Sequence, residues 1–472
     1  MTAPSLSPFS LLWQMAANTT QLEIWNEDSS VEGWLATERA LALAQAELGV
    51  IEQSDADQIV EAAVLENIDH PELWKFGKNV GYPILGLVRQ IAAHLPEGPD
   101  GRVHYGATTQ DIMDTGLVLQ MLRSLTALDA QLVRFGNALS ERVKEHRDTV
   151  MPGRTHGQQA VPTTFGATLS TLLDQVRRQR ERLAATYERI RVVSLFGAGG
   201  TNAAEGEKSA EIRRGVAERL GLKDPVVPWH TDRDILADYG WICASICATN
   251  AKLGRNIADL SRTELAEVFE PYSSHRGASS TMPQKVNPIS SELMIGISAV
   301  AGALAGGLAR IHEAGHERAA GEWQAEWHLL PELGVLAGSS LDEAIVVAEG
   351  MRVDPERMKR NLEMDGGLIM AEAAMIQLAP AMGREHAHDL VYEASTRARE
   401  TGRVLVEVLP EVAAEQGKSE LLPEKLVTAT DYVGEAGLIV DTARANWAAA
   451  PELAADDRPF SELASFVPAV SR

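Results

Sequence analysis

The chain has 472 residues, a formal net charge of −23, and 45% hydrophobic, 23% charged and 5% aromatic residues. That balance is globular rather than disordered, and such a length allows about three domains. An acidic surface repels phosphate backbones and anionic lipid, which argues against nucleic-acid and membrane partners, yet local cations can still hold a small anionic substrate. From Met1 to Leu22 there is no basic start followed by an apolar core, so no signal peptide is read and the cytoplasm is the expected location. Residues 31–63 read as helix, with Trp34, Leu41, Ala44 and Leu48 at helical steps. LPEGPDG (95–101) is a turn-rich break.

From Ile112 to about His146 the apolar residues keep a helical period without a proline. A helix of roughly 33 residues is about 50 Å long, which implies a bundle of long helices. A proline-free amphipathic stretch follows at 163–193, then a Gly-rich loop, FGAGGTNAA (196–204), and a helical stretch at 231–270. Within the latter, Cys243 and Cys247 lie four apart on one helix face and read as small core residues; a metal site or disulfide framework is not expected. After a Ser/Gly/Pro-rich loop (271–288) come helices at about 290–314 and 325–350, and MRVDPERM (351–358) marks the entry to a last helical region. Leu293 to Ala309 is an uncharged, Ala/Gly-rich stretch of 17 residues, short for a membrane span, and is read as a helix at the centre of a bundle. No strand-like alternation appears, so the expected fold is all-α. Its expected parts are an N-terminal helical domain (1–100), a central long-helix bundle (101–350) and a C-terminal helical domain (351–472). Long helices in a lone bundle expose apolar surface, which pairing with copies of the same chain would cover.

The segment richest in chemistry is HRGASSTMPQKVNPISSE (275–292). Gly277 permits unusual dihedrals. Ser279, Ser280 and Thr281 group hydroxyls with backbone amides, and Lys285 and Asn287 set a cation and an amide just before a helix start. A serine is a poor base unless cations and amide donors stabilise its alkoxide. By residue type alone this remains equally a flexible connector.

GASSTMPQKVNP resembles the signature loop of the fumarase/aspartase superfamily, GSSxMPxKxNP, with Ala278 in place of the usual glycine. Two further segments resemble the other signature regions, in family order: RVHYGATTQDIMDTG (102–116) and MPGRTHGQQAVPTTFG (151–166). The resemblance implies a β-elimination enzyme without metal or redox cofactor. Ser279 would be the catalytic base, with Ser280 and Met282 beside the substrate and Lys285 and Asn287 on its carboxylate. His104, Thr108, Thr109 and Gln110 would bind substrate. Thr155 would do the same beside His156, the general acid or its relay, with Glu292 as the carboxylate partner of that histidine. The superfamily builds each site from three subunits of a homotetramer, so a monomer would be inactive.

PWHTDRD (228–234) and HERAAGEWQAEW (316–327) resemble the branch of adenylosuccinate lyase and 3-carboxy-cis,cis-muconate cycloisomerase. Trp323 and Trp327 stand where adenylosuccinate lyase has a serine and an arginine for the nucleotide phosphate, which disfavours a nucleotide. They resemble the cycloisomerase, but His156 stands where that enzyme has tryptophan, and Asp232 replaces the usual glutamine. The expected reaction is therefore C–N or C–O cleavage of a succinyl-type substrate, with lactonisation as the alternative and a non-catalytic scaffold the least favoured. Arg154, Arg233 and Arg318 are candidates for holding further anionic groups, and each serves equally as a salt-bridge residue. His230, His316 and His328 read as helix-cap or surface residues, and His386 and His388 as solvated ones.

Overall fold

A computed structural model describes residues 14–456 and 458–463; the N-terminal stretch to residue 13, part of the segment read for a leader, lies outside them. The described chain is helical. Helix α1 spans Glu27–Glu47, and α2 spans Thr109–Glu145, 37 residues or about 55 Å at the usual rise. Next come α3 (Phe165–Ile190), α4 (Asp234–Leu260), α5 (Ile289–Leu308) and α6 (Glu322–Gly350). Helices α2 to α6 pack side by side around one core that includes Leu125, Leu128, Leu173, Ile246, Leu333 and Val347. Cys243 and Cys247 are buried in it, and burial pushes both thiols up.

The sequence pattern misplaces some ends. The helix expected over 31–63 stops at Glu47, because Gly49 takes φ +67° and turns the chain before a second helix, Gln53–Ala62. The stretch 231–270 ends its helix at Leu260. Two small antiparallel pairs depart from the expected absence of strands: β1 (Val150–Thr155) with β2 (Gln158–Thr164), and β3 (Val268–Phe269) with β4 (Arg352–Val353).

Smaller cores flank the bundle. Val31, Ile59, Leu73, Leu87 and Ile112 form one at the N-terminal end. Helices α7 (Ala371–Met382), α8 (Arg384–Thr401) and α9 (Leu405–Glu415) form another. Helix α10 (Ala436–Ala448) returns to the central core, where Trp447 packs under α2 and α3.

Helix α5 is not at the centre of the chain's own bundle. With the 3₁₀ turn that follows, it is a 25-residue apolar helix of mean hydropathy 1.6, long and apolar enough by those measures to cross a membrane. It packs on α4 and α6 by one face, and only 22% of its most apolar stretch is buried within one copy. A Cβ added at Gly296, Gly302 or Gly306 would meet nothing, so a smooth small-residue face lies open.

Candidate active site

The first signature region sits at the start of α2. Thr108 precedes the helix, and its backbone N–H donates to Asp111 Oδ2 (3.1 Å). The buried Asp111 carboxylate also accepts from the backbone N–H groups of Phe196 and Gly197 (2.9 Å each) and from His230 Nε2 (2.8 Å). A single carboxylate thus ties the helix start to the Gly-rich loop and to the PWH segment. His230 is buried by this bond rather than being a cap or surface residue. Gln110 is buried too; its amide donates to Asp114 (3.0 Å) and to the carbonyl of His230 (2.9 Å), and its oxygen accepts from Arg318.

His104 sits before this helix with φ +60°, a left-handed backbone that costs energy outside glycine. Its Nδ1 lies 2.6 Å from Glu38 Oε1. Burial works to lower the His104 pKa, but the charge and hydrogen bond of Glu38 outweigh it and the net shift is upward. Glu205 packs under the same turn, where Gly106 at φ +80° leaves no room for a Cβ against its carboxyl. Burial raises the Glu205 carboxyl to about 6, against the Gln45 amide that hydrogen-bonds it (2.8 Å).

The second region is the β1–β2 hairpin. His156 and Gly157 are its two turn residues, at φ +52° and +75°, the signs a tight type I′ connection needs. This turn presents Thr155 and His156 exposed at the tip. Arg154 anchors the base through a two-pronged ion pair with the buried Glu267 (2.6 and 2.9 Å).

The third region is the loop before α5. Glu270 holds its base by accepting from the backbone N–H groups of Ser290 (3.2 Å) and Ser291 (2.7 Å), which secures the helix start. Asn287 N–H donates to the carbonyl of Gly277 (2.8 Å), and Ala278 bridges Val286. Gly277, at φ +66°, lies against the Asn287 backbone where no Cβ fits. On the loop so closed, Ser279 Oγ accepts from the N–H groups of Thr281 (3.3 Å) and Met282 (3.1 Å). Ser280, Met282 and Lys285 are exposed. Among the described residues Lys285 has no hydrogen bond or ion pair through its ammonium, and it lines a cavity of about 720 Å³ with Asn287, Glu292, Arg276 and Arg352.

Two sequence candidates are engaged by buried carboxylates of the same chain. Arg233 is fully buried; it pairs with Asp114 (2.7 and 3.1 Å) and with Glu326 (Nε at 3.1 Å), leaving no donor for a substrate. Arg154 is likewise engaged by Glu267. Arg318 is half-exposed beside Gln110 and donates to it and to the carbonyl of Ala198 (3.0 Å). Glu38, Asp111, Asp114 and Glu267 escaped sequence reading, because a lone acid on a helix or loop carries no sign of a partner far along the chain.

Within one copy the three regions are joined by no hydrogen bond or ion pair among the described residues. Thr155 and Lys285 line different cavities, and Glu292 makes no bond to His156.

Arg233→Met would leave Asp114 and Glu326 buried without their cation. The expected cost is about 3–5 kcal/mol, read as a lower urea midpoint at an unchanged m-value; parental stability would refute the structural role. For Glu205, a raised acid weakens the fold as pH climbs from the unfolded carboxyl range through about 6, and the penalty is full above that. Glu205→Gln should therefore be more stable than the parent at pH 8 by about 1 kcal/mol after solvent screening. The difference should shrink to nothing near pH 4, and urea melts across that range read it.

Comparison with known proteins agrees with this geometry. The pattern of the family described as Lyase matches residues 14–302, and that of Adenylosuccinate lyase C-terminus matches 367–443. The chain is 40% identical over 429 residues to the 3-carboxy-cis,cis-muconate cycloisomerase of Pseudomonas aeruginosa, covering 89% of this chain and 93% of that one. It is 35% identical over 446 residues to the N-acetyl-S-(2-succino)cysteine lyase of Dickeya dadantii, covering 93% and 97%. The crystal structure of a fumarate lyase from Mesorhizobium sp. BNC1 superposes with a TM-score of 0.83 at 36% identity, covering 94% of this chain and 99% of that one. With its long-helix bundle and all three signature regions in order, the chain belongs to the fumarase/aspartase superfamily of lyases, in the branch of adenylosuccinate lyase and 3-carboxy-cis,cis-muconate cycloisomerase.

Proposed function

We propose that the protein is a lyase that performs a reversible anti β-elimination on a succinyl-type substrate and releases fumarate or a related unsaturated acid. The observation that carries this reading is the environment of Ser279 Oγ, which accepts two backbone N–H bonds on the loop that also carries Lys285. Those donors would hold the oxygen equally as an alkoxide. The alkoxide takes the proton from the carbon next to a substrate carboxylate. The electron pair moves into that carboxylate as an enolate-like dianion, which Lys285 and Asn287 stabilise. Re-forming the carbonyl pushes the pair into the new double bond, and the group on the neighbouring carbon leaves with a proton from the His156 side.

The substrate is a small anion. In a chain of net charge −23, Lys285 keeps its ammonium unpaired among the described residues, whereas Arg154 and Arg233 are consumed by carboxylates. The site is completed by other copies of the chain, in a homotetramer. The open small-residue face of α5 and the lack, among the described residues, of any hydrogen bond or ion pair joining the three regions within one copy support this. The cycloisomerase reading stays as the second, supported by the Pseudomonas relative.

A screen of N-, O- and S-substituted succinates for fumarate release by ultraviolet absorbance tests the reaction, with 3-carboxy-cis,cis-muconate as the competing substrate. On the substrate found, Ser279→Ala should lose on the order of 10²–10⁴ in kcat. Mixing inactive Ser279→Ala and His156→Ala chains under exchange conditions should restore activity, since some sites then receive both intact regions. Unchanged turnover in Ser279→Ala sinks the base assignment, and no recovery on mixing sinks the shared site.

A further inference from the structure

Five of the nine tryptophans converge on one cavity away from the signature loop. It has a volume of about 270 Å³ and is walled by Trp25, Trp34, Trp74, Trp323, Trp327 and Met113. Trp34 and Trp74 meet edge to face at 6.3 Å, as do Trp323 and Trp327 at 5.3 Å. Tyr82 stacks on Trp323 at 5.3 Å and 29° and meets Trp327 edge to face at 6.5 Å, which holds both rings. An apolar cavity of about 150 Å³ already accepts benzene. A half-open cavity of this size lined by aromatic rings has the form of a binding site.

Several polar groups of the wall are already engaged, while the Trp25 indole N–H is buried without a hydrogen-bond partner. Gln120 donates to the carbonyl of Ile24 (2.9 Å) and to Ser30 (3.1 Å). The Asp114 carboxylate is taken by Gln110 and Arg233. Glu27 lies at the rim, 3.4 Å from His70. The interior therefore offers mainly ring faces and edges, with the Trp25 N–H as a buried donor without a partner. Its position also matters: Met113 and Asp114 lie about one turn along α2 from Gln110, and Asp114 faces both.

We infer that this tryptophan-walled cavity is a binding site for an uncharged, ring-sized apolar group. The site rests on its own lining and not on the reaction proposed above. Two sources supply such a group: an apolar tail on the leaving group of the substrate, or a separate small molecule.

Iodobenzene, which quenches indole fluorescence and scatters anomalously, is the probe for the intact protein. Quenching should saturate, and iodine should appear in soaked crystals between Trp34, Trp74 and Trp327. Trp327→Arg, which pushes a charge into the cavity, should weaken binding at least about tenfold, while Trp323→Phe should retain it. Displacement of iodobenzene by 2-(phenylsulfanyl)succinate but not by succinate assigns the cavity to a substrate tail. No displacement by either assigns it to a separate molecule. Unsaturable quenching, iodine absent from the cavity, or binding of tetramethylammonium in place of iodobenzene would overturn the inference, and the crystal reads the result even if Trp327→Arg does not fold.

Discussion

The buried carboxylate of Asp111 is the constraint on which the start of α2, with the first signature region, depends. Four donors from three places in the chain, Thr108, the adjacent Phe196 and Gly197, and His230, converge on its two oxygens. A buried charge is tolerated only when it is so satisfied, and removal of one donor leaves the others oriented around a poorer partner. One turn on, Asp114 repeats the device with Gln110 and Arg233, and Thr115 exchanges hydrogen bonds with the Ser194 backbone (2.9 and 3.0 Å). The first two turns of α2 are thereby stitched to the loops around them, so that Thr108, Thr109 and Gln110 are held on a rigid element.

The same economy governs the cations. Arg154, Arg233 and Lys285 all belong to segments that resemble substrate-binding motifs, yet only Lys285 is left unpaired among the described residues. An arginine fork matches a carboxylate so well that a buried one nearby takes it permanently. A lysine on an exposed loop that forms no ion pair stays available. This contrast separates cations fixed by buried carboxylates from one that is left unpaired.

Much of this was legible in the sequence, and the reason is locality. The loop from Gly277 to Asn287 closes on itself, so its chemistry is written in consecutive residues. The long helices show as uninterrupted periodicity from Ile112 onward. What stayed hidden depends on distance along the chain. Glu38 reads as one more solvent-facing acid of an amphipathic helix until the fold brings His104 against it, and Glu267 and Glu326 read the same way until Arg154 and Arg233 arrive. The β1–β2 hairpin was masked by Pro152 and Pro162, which face each other across the two strands and would ordinarily argue against strand in both segments. The turn that lifts His156 to the hairpin tip could be seen only with the backbone angles in hand.

Among the described residues of one copy no hydrogen bond or ion pair joins the three regions, and an apolar helix face is uncovered. The proposed chemistry therefore stands or falls with how copies assemble. An experimental structure of the protein as it exists in solution, with a four-carbon diacid bound, measures this directly. The arrangement proposed here predicts Ser279 of one copy, His156 of a second and His104 of a third all touching the same diacid. A diacid bound by the regions of one copy alone, or the three regions facing solvent at separate places on the assembly, would contradict it.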